Sequence, residues 1–390
     1  MDYFLTEEQQ MIVDLARRIA QEKIKPVREY YDEKEEFPWP LVEEFAKSDL
    51  CGVYIPSEYG GMGGGILDFV LLVEELSKVD GAISLCLAAT ALGTFPILLH
   101  GNEEQKRKYL PDIASGKKLA AFGLTEASAG SDATALKTTA IKDGNHYVLN
   151  GTKCFITNAG EAEIYTVFAS TNPAKGARGI SCFVVEKGTP GFDFGKKEKK
   201  LGIRASSTRE LIFNNCRIPV ENLVGKEGHG LMIAQSTFDA SRPGVAAQAL
   251  GIAAGATDEA INYARVRVQF GQPISSFQAI QHMLAEMATE VEAARALLYA
   301  TAKMMDAQSA SGKKERVTKE SAMSKYYASE IAMRVTTNAV QIFGGYGYSR
   351  EYPVEKMMRD AKITQIYEGT TQIQKNEIAL AIIKEAAAKK

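Results

Sequence analysis

The spacing of hydrophobic positions changes twice along the chain. From Thr6, the run Thr-Glu-Glu-Gln reads as a capping box, and Ile12, Leu15, Ala16 and Ile19 follow at helical spacing up to the Lys25-Pro26 break. Pro40 opens a shorter helix with Leu41, Val42, Phe45 and Ala46 on one face. The glycine run Gly60-Gly61-Met62-Gly63-Gly64-Gly65 lacks the GK[ST] ending of a phosphate-cradling loop and reads as a connector to a helix starting near Ile66. Helical stretches from Ile83 to Leu99 and from Glu103 to Ile113, the second with Asn102 as N-cap, complete a helical first third.

Near Leu119 the pattern turns to short runs rich in aromatic and β-branched residues. Turn signals separate them at Asp143-Gly144, Asn150-Gly151, Lys175-Gly176 and Pro190-Gly191. Strands are predicted over His146 to Leu149, Ile164 to Thr171, Ile180 to Glu186 and Glu210 to Phe213, closed by Pro219 and the loop Gly225-Lys226-Glu227-Gly228. From Leu231 the helical period returns in alanine-rich stretches over Gly244 to Val266, Ile280 to Ala307, Val317 to Gln341 and Gln372 to Ala388. The expectation is a multidomain α+β chain: an N-terminal α-helical domain (1–118), a central antiparallel β-barrel or sandwich domain (119–228) and a C-terminal four-helix bundle (229–390).

Composition narrows the chemistry. A net charge of -2 from 46 basic and 48 acidic residues offers no overall field for nucleic acid or an anionic membrane. The five cysteines (Cys51, Cys86, Cys154, Cys182, Cys216) have no metal-ligand spacing and read as buried thiols in a reducing compartment. The histidines His100, His146, His229 and His282 form no paired-ligand motif, so no metal is expected. No signal peptide opens the chain, and the apolar runs read as shorter than the roughly 18 residues of a membrane span. The expected location is cytoplasmic in a bacterium, or the mitochondrial matrix for a mature eukaryotic form.

Candidate chemistry centres on Gln365-Ile366-Tyr367-Glu368-Gly369-Thr370-Thr371-Gln372-Ile373-Gln374. One carboxylate stands there among apolar and small neighbours; partial desolvation would raise its pKa and make it a better base, while Gly369 lets a bound group approach the backbone. The same ten residues also suit a surface Glu ahead of a helix N-cap. Two segments of the β-region offer ligand-binding groups. Ala121-Phe122-Gly123-Leu124-Thr125-Glu126-Ala127-Ser128-Ala129-Gly130-Ser131-Asp132 runs from a strand into a loop of hydroxyls and backbone N–H groups, and Phe155-Ile156-Thr157-Asn158 puts an aromatic ring and a hydroxyl at a strand end.

Taken in order, these segments resemble the flavin-dependent acyl-CoA dehydrogenase family over the whole chain, in particular its short/medium-chain or butyryl-CoA members. Three further stretches carry the resemblance: Phe238-Asp239-Ala240-Ser241-Arg242, Arg267-Val268-Gln269-Phe270-Gly271, and Gln341-Ile342-Phe343-Gly344-Gly345-Tyr346-Gly347. The resemblance implies that Glu368 removes the pro-R α-proton of an acyl-CoA thioester while a β-hydride passes to flavin N5, giving the trans-2-enoyl-CoA. It implies a thioester carbonyl bonded by the backbone N–H of Glu368 and a flavin ribityl hydroxyl, and an electron-transferring flavoprotein as acceptor, as in fatty acid β-oxidation. A branch of the family carries its base at the position of Ser241; with Glu368 present, this chain follows the commoner pattern.

By the same resemblance, Phe122, Leu124, Thr125, Phe155, Ile156 and Thr157 wrap the FAD ring, although many relatives have Trp in place of Phe155. Arg267, Phe277, Gln278, Gln341, Ile342, Gly344 and Gly345 match contacts to the pyrophosphate and adenosine, some made across a subunit interface. Thr370 and Gln372 match adenosine-side contacts. Ser131, which borders both ligands, joins Asp239 and Arg242 at the CoA moiety, and Tyr367 and Gly369 flank the acyl group. A homotetramer follows from the shared FAD contacts and from the apolar, alanine-rich C-terminal helices.

Three other readings compete: an acyl-CoA oxidase, which is generally a much longer chain; an enoyl-CoA reductase running in reverse with an electron-transferring flavoprotein; and a silent CoA-binding scaffold, against which Glu368 argues. Between Val79 and Leu99 there is no Lys or Arg to pair with a distal carboxylate, and Ala88, Ala89, Thr90, Ala91 and Gly93 are small. A short to medium saturated acyl chain is expected, with branched and alicyclic groups left open.

Overall fold

The computed structural model describes residues 3–312 and 316–388. Helix α1 (Glu7–Ile19) begins on a reciprocal cap: the Thr6 hydroxyl accepts from Gln9 N at 3.2 Å, and the Gln9 side chain accepts from Thr6 N at 3.1 Å. A short α2 (Arg28–Lys34), not foreseen from its polar sequence, is tied down by Asp32, which accepts two bonds from Arg359 at 3.2 and 2.7 Å. Helices α3 (Trp39–Lys47), α4 (Ile66–Ser77), α5 (Gly81–His100) and α6 (Glu103–Ala114) follow as the periodicity predicts.

One expectation fails at α5. This helix is 20 residues long, with a window of mean hydropathy 2.0, enough to cross a membrane by length and composition. Instead, 83% of that window is buried inside the fold, packed on α4, the first strand and the long helix that follows the sheet. Its apolar character all round is that of a core helix.

The central sheet has eight strands among the described residues: β1 (Ala120–Gly123), β2 (Thr139–Asp143), β3 (His146–Thr157), β4 (Ile164–Ser170), β5 (Ile180–Glu186), β6 (Phe192–Phe194), β7 (Thr208–Pro219) and β8 (Leu223–Val224). Their order is β6-β7-β3-β2-β4-β5-β8, with β1 added beside β4. The sheet is mostly antiparallel, but β1 runs parallel to β4, because the chain enters it from the helical part and not through a hairpin. Asn150-Gly151 is not the turn it resembles. Strand β3 continues through it to Thr157 with a register shift, since Gly151 takes φ 143° and a Cβ there would lie 2.5 Å from Thr138 Oγ1.

The C-terminal part comprises α7 (Gly230–Val266), a two-strand ribbon of β9 (Val268–Gln269) and β10 (Gln272–Pro273), α8 (Gln278–Ala310), α9 (Thr318–Phe343), α10 (Val354–Thr364) and α11 (Thr371–Ala388). Helix α9 packs on α7, α8, α10 and α11, so the expected four long helices are joined by α10. Helix α7 starts 14 residues before the predicted Gly244, running through Pro243. Proline cannot donate to the carbonyl four residues back, and that carbonyl, Asp239 O, accepts instead from the Ser321 hydroxyl of α9 at 2.9 Å. The substitute donor lets the helix pass the proline and carry Ser241 and Arg242 toward the α10–α11 turn.

Candidate active site

Between α10 and α11 the backbone makes a left-handed turn, with φ +49° at Glu368 and +89° at Gly369. Such a conformation is unfavourable for a residue with a side chain and persists only where its surroundings hold it. Here the carbonyls are held. Gln374 Nε2 donates to Glu368 O and Gly369 O, both at 3.0 Å, and Lys325 Nζ donates to Gly369 O at 2.7 Å. A Cβ on Gly369 would lie 2.6 Å from Gln374 Nε2. With both carbonyls drawn to one side, the Glu368 N–H has no acceptor among the described residues and is available to a ligand.

The Glu368 side chain is half-buried, and Ser241 Oγ donates to its Oε2 at 2.5 Å. Burial pushes its carboxyl above the usual range; the Ser241 hydroxyl and the charges of Lys325 and Arg242 pull it back without cancelling the effect. Arg242 is itself buried, its Nε and Nη1 lack hydrogen-bond partners, and its nearest anion, Asp239, is 3.7 Å away. Asp239 accepts from Thr318 Oγ1 at 2.7 Å, and burial raises its carboxyl. On the other side of the base, the Tyr367 hydroxyl donates to Gln248 Oε1, and Gln248 Nε2 donates to Gly81 O at 2.6 Å. This polar bridge links the residue before the base, through α7, to the start of α5.

The two predicted ring-binding segments lie side by side. Cys154 N donates to Thr125 O at 2.9 Å, and below them the wholly buried Lys153 donates to Leu124 O at 3.1 Å and to Glu126 Oε1 at 2.7 Å. Glu126 in turn accepts from Lys137 N and Thr138 N, at 2.6 and 2.9 Å. This strut braces a loop that carries half-exposed Thr125, and Thr157 stands half-exposed at the end of β3. Phe155 stands out from β3 with 65% of its surface exposed and φ +58°, a costly position for an aromatic residue unless a ligand covers it. Phe122 packs against Phe168 and against Phe238 of α7, which links this segment to the α7 turn bearing Ser241 and Arg242. Ile156 points the other way, into the sheet core, so only its backbone shares the side on which Phe155 stands. Ser131 is exposed in the loop.

The remaining predicted FAD residues gather elsewhere. Arg267 lies over the Tyr346 ring at 5.2 Å, Phe277 and Gln278 open α8, and Gln341 and Ile342 end α9 ahead of Gly344 and Gly345. A stacked pair, Tyr263 and Phe343 at 4.0 Å, joins these ends. At 1.5 Å per residue, Gln341 lies about 24 Å along α9 from Lys325, so a single chain does not bring this group to Glu368. Thr370 and Gln372 stay beside the base, at the start of α11. The residues fit a flavin dinucleotide: an outstanding aromatic ring and paired hydroxyls in one group, and in the other an arginine beside Gly344 and Gly345, at neither of which a Cβ would meet any atom within 4 Å.

Sequence reasoning missed Lys325, Gln248, Gln374 and the Lys153–Glu126 strut. Lysine and glutamine are ordinarily surface residues, and nothing in their spacing marks them as buried.

An exposed aromatic ring with half-exposed hydroxyls, linked through Phe122 and Phe238 to the α7 turn whose Ser241 bonds the half-buried Glu368, fits a flavin-dependent oxidoreductase. The family descriptions for the N-terminal, middle and C-terminal domains of acyl-CoA dehydrogenase match residues 6–117, 121–216 and 228–383, and the chain belongs to the acyl-CoA dehydrogenase family. It is therefore an FAD-dependent enzyme. It is 50% identical over 386 residues to an acryloyl-CoA reductase (NADH) of Anaerotignum propionicum, covering 98% of this chain and 96% of that one. Among solved structures it resembles butyryl-CoA dehydrogenase from Megasphaera elsdenii, with a TM-score of 0.94, 47% identity and coverage of 98% and 100%. A chain from a structure described as the electron transferring flavoprotein of Acidaminococcus fermentans gives a TM-score of 0.94 and 51% identity, covering 98% of this chain and 99% of that one.

Proposed function

We propose that the chain oxidises a short-chain acyl-CoA to the trans-2-enoyl-CoA, with Glu368 as the base. The observation that carries this reading is the Glu368 turn, which offers a carboxylate and a free backbone N–H at one residue. When bound, FAD supplies the acceptor for the hydride that leaves the β-carbon. The Glu368 carboxylate takes the α-proton, and its desolvation makes it a stronger base than an exposed carboxylate of pKa about 4.3. The Glu368 N–H donates to the thioester carbonyl, where charge builds as the proton leaves; one such donor is worth about 100-fold or more in rate.

In this reading Phe122, Leu124, Thr125, Phe155, the Ile156 backbone and Thr157 hold the flavin ring, and Thr370 and Gln372 make adenosine-side contacts. Ser131, Asp239 and Arg242 face the CoA moiety, while Tyr367 and Gly369 flank the acyl group. The distant Arg267, Phe277, Gln278, Gln341, Ile342, Gly344 and Gly345 hold the dinucleotide of a neighbouring subunit in a homotetramer. Supporting this, Phe270 and Tyr348, beside that group, are 92% and 87% exposed in the single chain. Light scattering on the FAD-loaded protein is expected to give four times the mass of one chain; a fully flavin-loaded monomer would contradict the arrangement. The segments 1–118, 119–228 and 229–390 are taken as its folding units. An electron-transferring flavoprotein is the proposed acceptor, and a cytoplasmic location the proposed setting.

The acyl chain is proposed to be short; the support is the Tyr367–Gln248–Gly81 bridge, which ties the residue before the base to α7 and the start of α5. Helix α5 also brings no lysine or arginine. A glutaryl thioester would bury its carboxylate without a partner, at several kcal/mol. Initial rates over a panel of thioesters are therefore expected to peak near butyryl-CoA, with glutaryl-CoA about 100-fold or more slower; comparable rates for the two would overturn the pocket reading. The high identity to an acryloyl-CoA reductase favours one second reading, reduction of a short enoyl-CoA at the same site. Assaying acryloyl-CoA and crotonyl-CoA with reduced acceptor distinguishes the two directions.

A further inference from the structure

Lysine is among the residues least often buried, because its ammonium is costly to desolvate. Lys325, in the first half of α9, has no exposed surface, and its side chain donates to the carbonyl of Gly369, the residue after the base. That carbonyl already receives the neutral amide of Gln374 at 3.0 Å. A second neutral donor would serve the backbone equally well, so what Lys325 adds is a positive charge placed behind the turn.

The charged groups around the pair come from four elements. Lys325 faces Glu368 from the turn, Arg242 from α7 and Glu330 from its own helix. Glu330 is engaged with Gln365 and Thr371, at 2.8 and 2.9 Å. Arg242 also faces Glu368 but is shared with Asp239 of α7, 3.7 Å away, and Glu377 of α11, whereas Lys325 hydrogen-bonds a carbonyl of the turn itself and pulls harder on the Glu368 carboxyl than Arg242 does.

We infer that Lys325 is a positioning residue for α-proton abstraction: anchored on the Gly369 carbonyl behind the turn, its charge keeps the Glu368 carboxylate ionised and ready to accept the proton. The inference rests on the reading of Glu368 as base. Burial lowers the Lys325 ammonium to about 7, so its charge responds to pH in the range where the enzyme would work.

The test is the pH profile of anaerobic flavin reduction by butyryl-CoA, from about pH 5.5 to 9, in FAD-loaded wild type, Lys325→Met, Lys325→Gln and Glu368→Gln. Removing a nearby cation makes ionisation of the carboxylate harder, so the acid limb in both Lys325 variants is expected to move up by about one pH unit or more. At pH values below the limb, the rate then falls roughly tenfold for each pH unit by which the limb has moved. Substrate affinity and FAD content should stay near wild type, and the rates should converge at high pH. A limb that superimposes on wild type, or a loss of rate that is the same at every pH, would overturn the inference. Failure of both variants to accumulate as flavin-loaded protein would make Lys325 a folding residue and overturn it too. Glu368→Gln separates the two readings: if it still reduces its flavin at the wild-type rate, the base assignment has failed. If it is silent while the Lys325 variants keep the wild-type limb, only the role of Lys325 has.

Discussion

Glu368→Gln is expected to load FAD and bind an acyl-CoA normally, yet to bleach its flavin about 100- to 10,000-fold more slowly than wild type on anaerobic mixing with butyryl-CoA. The amide keeps the size of the carboxylate and can still bond Ser241, and the backbone turn is held by Lys325 and Gln374, which the substitution leaves in place. What is lost is the proton acceptor. Ser241 is the hydroxyl bonded to that carboxylate and is too weak a base to replace it, so a loss at the upper end of the range is expected. Carrying a carboxylate from the position of Ser241 is geometrically reasonable, since its Oγ lies 2.5 Å from Glu368 Oε2. Ser241→Glu in the Glu368→Gln background is therefore expected to recover part of the rate.

The largest expected effect on stability lies outside the site. Lys356 is buried and bonds Asp360 at 2.5 Å and Asp80 at 2.9 Å. Asp80 caps α5 through Ala82 N and Ile83 N, at 2.8 and 3.0 Å, while Asp360 accepts from Ile203 N at 2.5 Å. One lysine thus ties α10, the core helix α5 and the segment that leads into β7. Burial alone would lower its ammonium, but Asp360, Asp80 and Asp32 outweigh that and raise it. Lys356→Met would strand two buried carboxylates at a cost of about 3–5 kcal/mol, because breaking a buried pair from one side leaves an uncompensated charge. A marked fall in the thermal midpoint of the FAD-loaded protein is expected, partly restored by adding Asp360→Asn. An unchanged midpoint would mean that solvent already screens the cluster.

Most of the helical architecture was legible because amphipathic periodicity and caps are local signals: Thr6, Asn102 and the glycine run before Ile66 all punctuate the chain where they should. The misses have non-local causes. The helix reads as beginning only at Gly244, after Pro243, until Ser321 is seen to supply the missing donor, and Asn150-Gly151 reads as a turn until Thr138 is seen crowding Gly151. Helix α2 has no apolar stripe and depends on Arg359, more than 300 residues away. The site shows the same division. Glu368, Gly369 and Phe155 could be picked out by residue type and by family resemblance. Lys325, Gln248 and Lys153 could not, because a buried polar side chain is defined by partners that only the fold assembles.

The central claim, that Glu368 takes the α-proton, is tested most directly by following that proton. Butyryl-CoA carrying deuterium at both α positions is incubated anaerobically in ordinary water with FAD-loaded wild type or Glu368→Gln, and the deuterium content of the recovered thioester is read by mass spectrometry. Wild type is expected to wash one deuterium out to solvent in the reversible reaction, and Glu368→Gln to leave both in place over the same interval. Washout by Glu368→Gln at a rate near that of wild type would contradict the account.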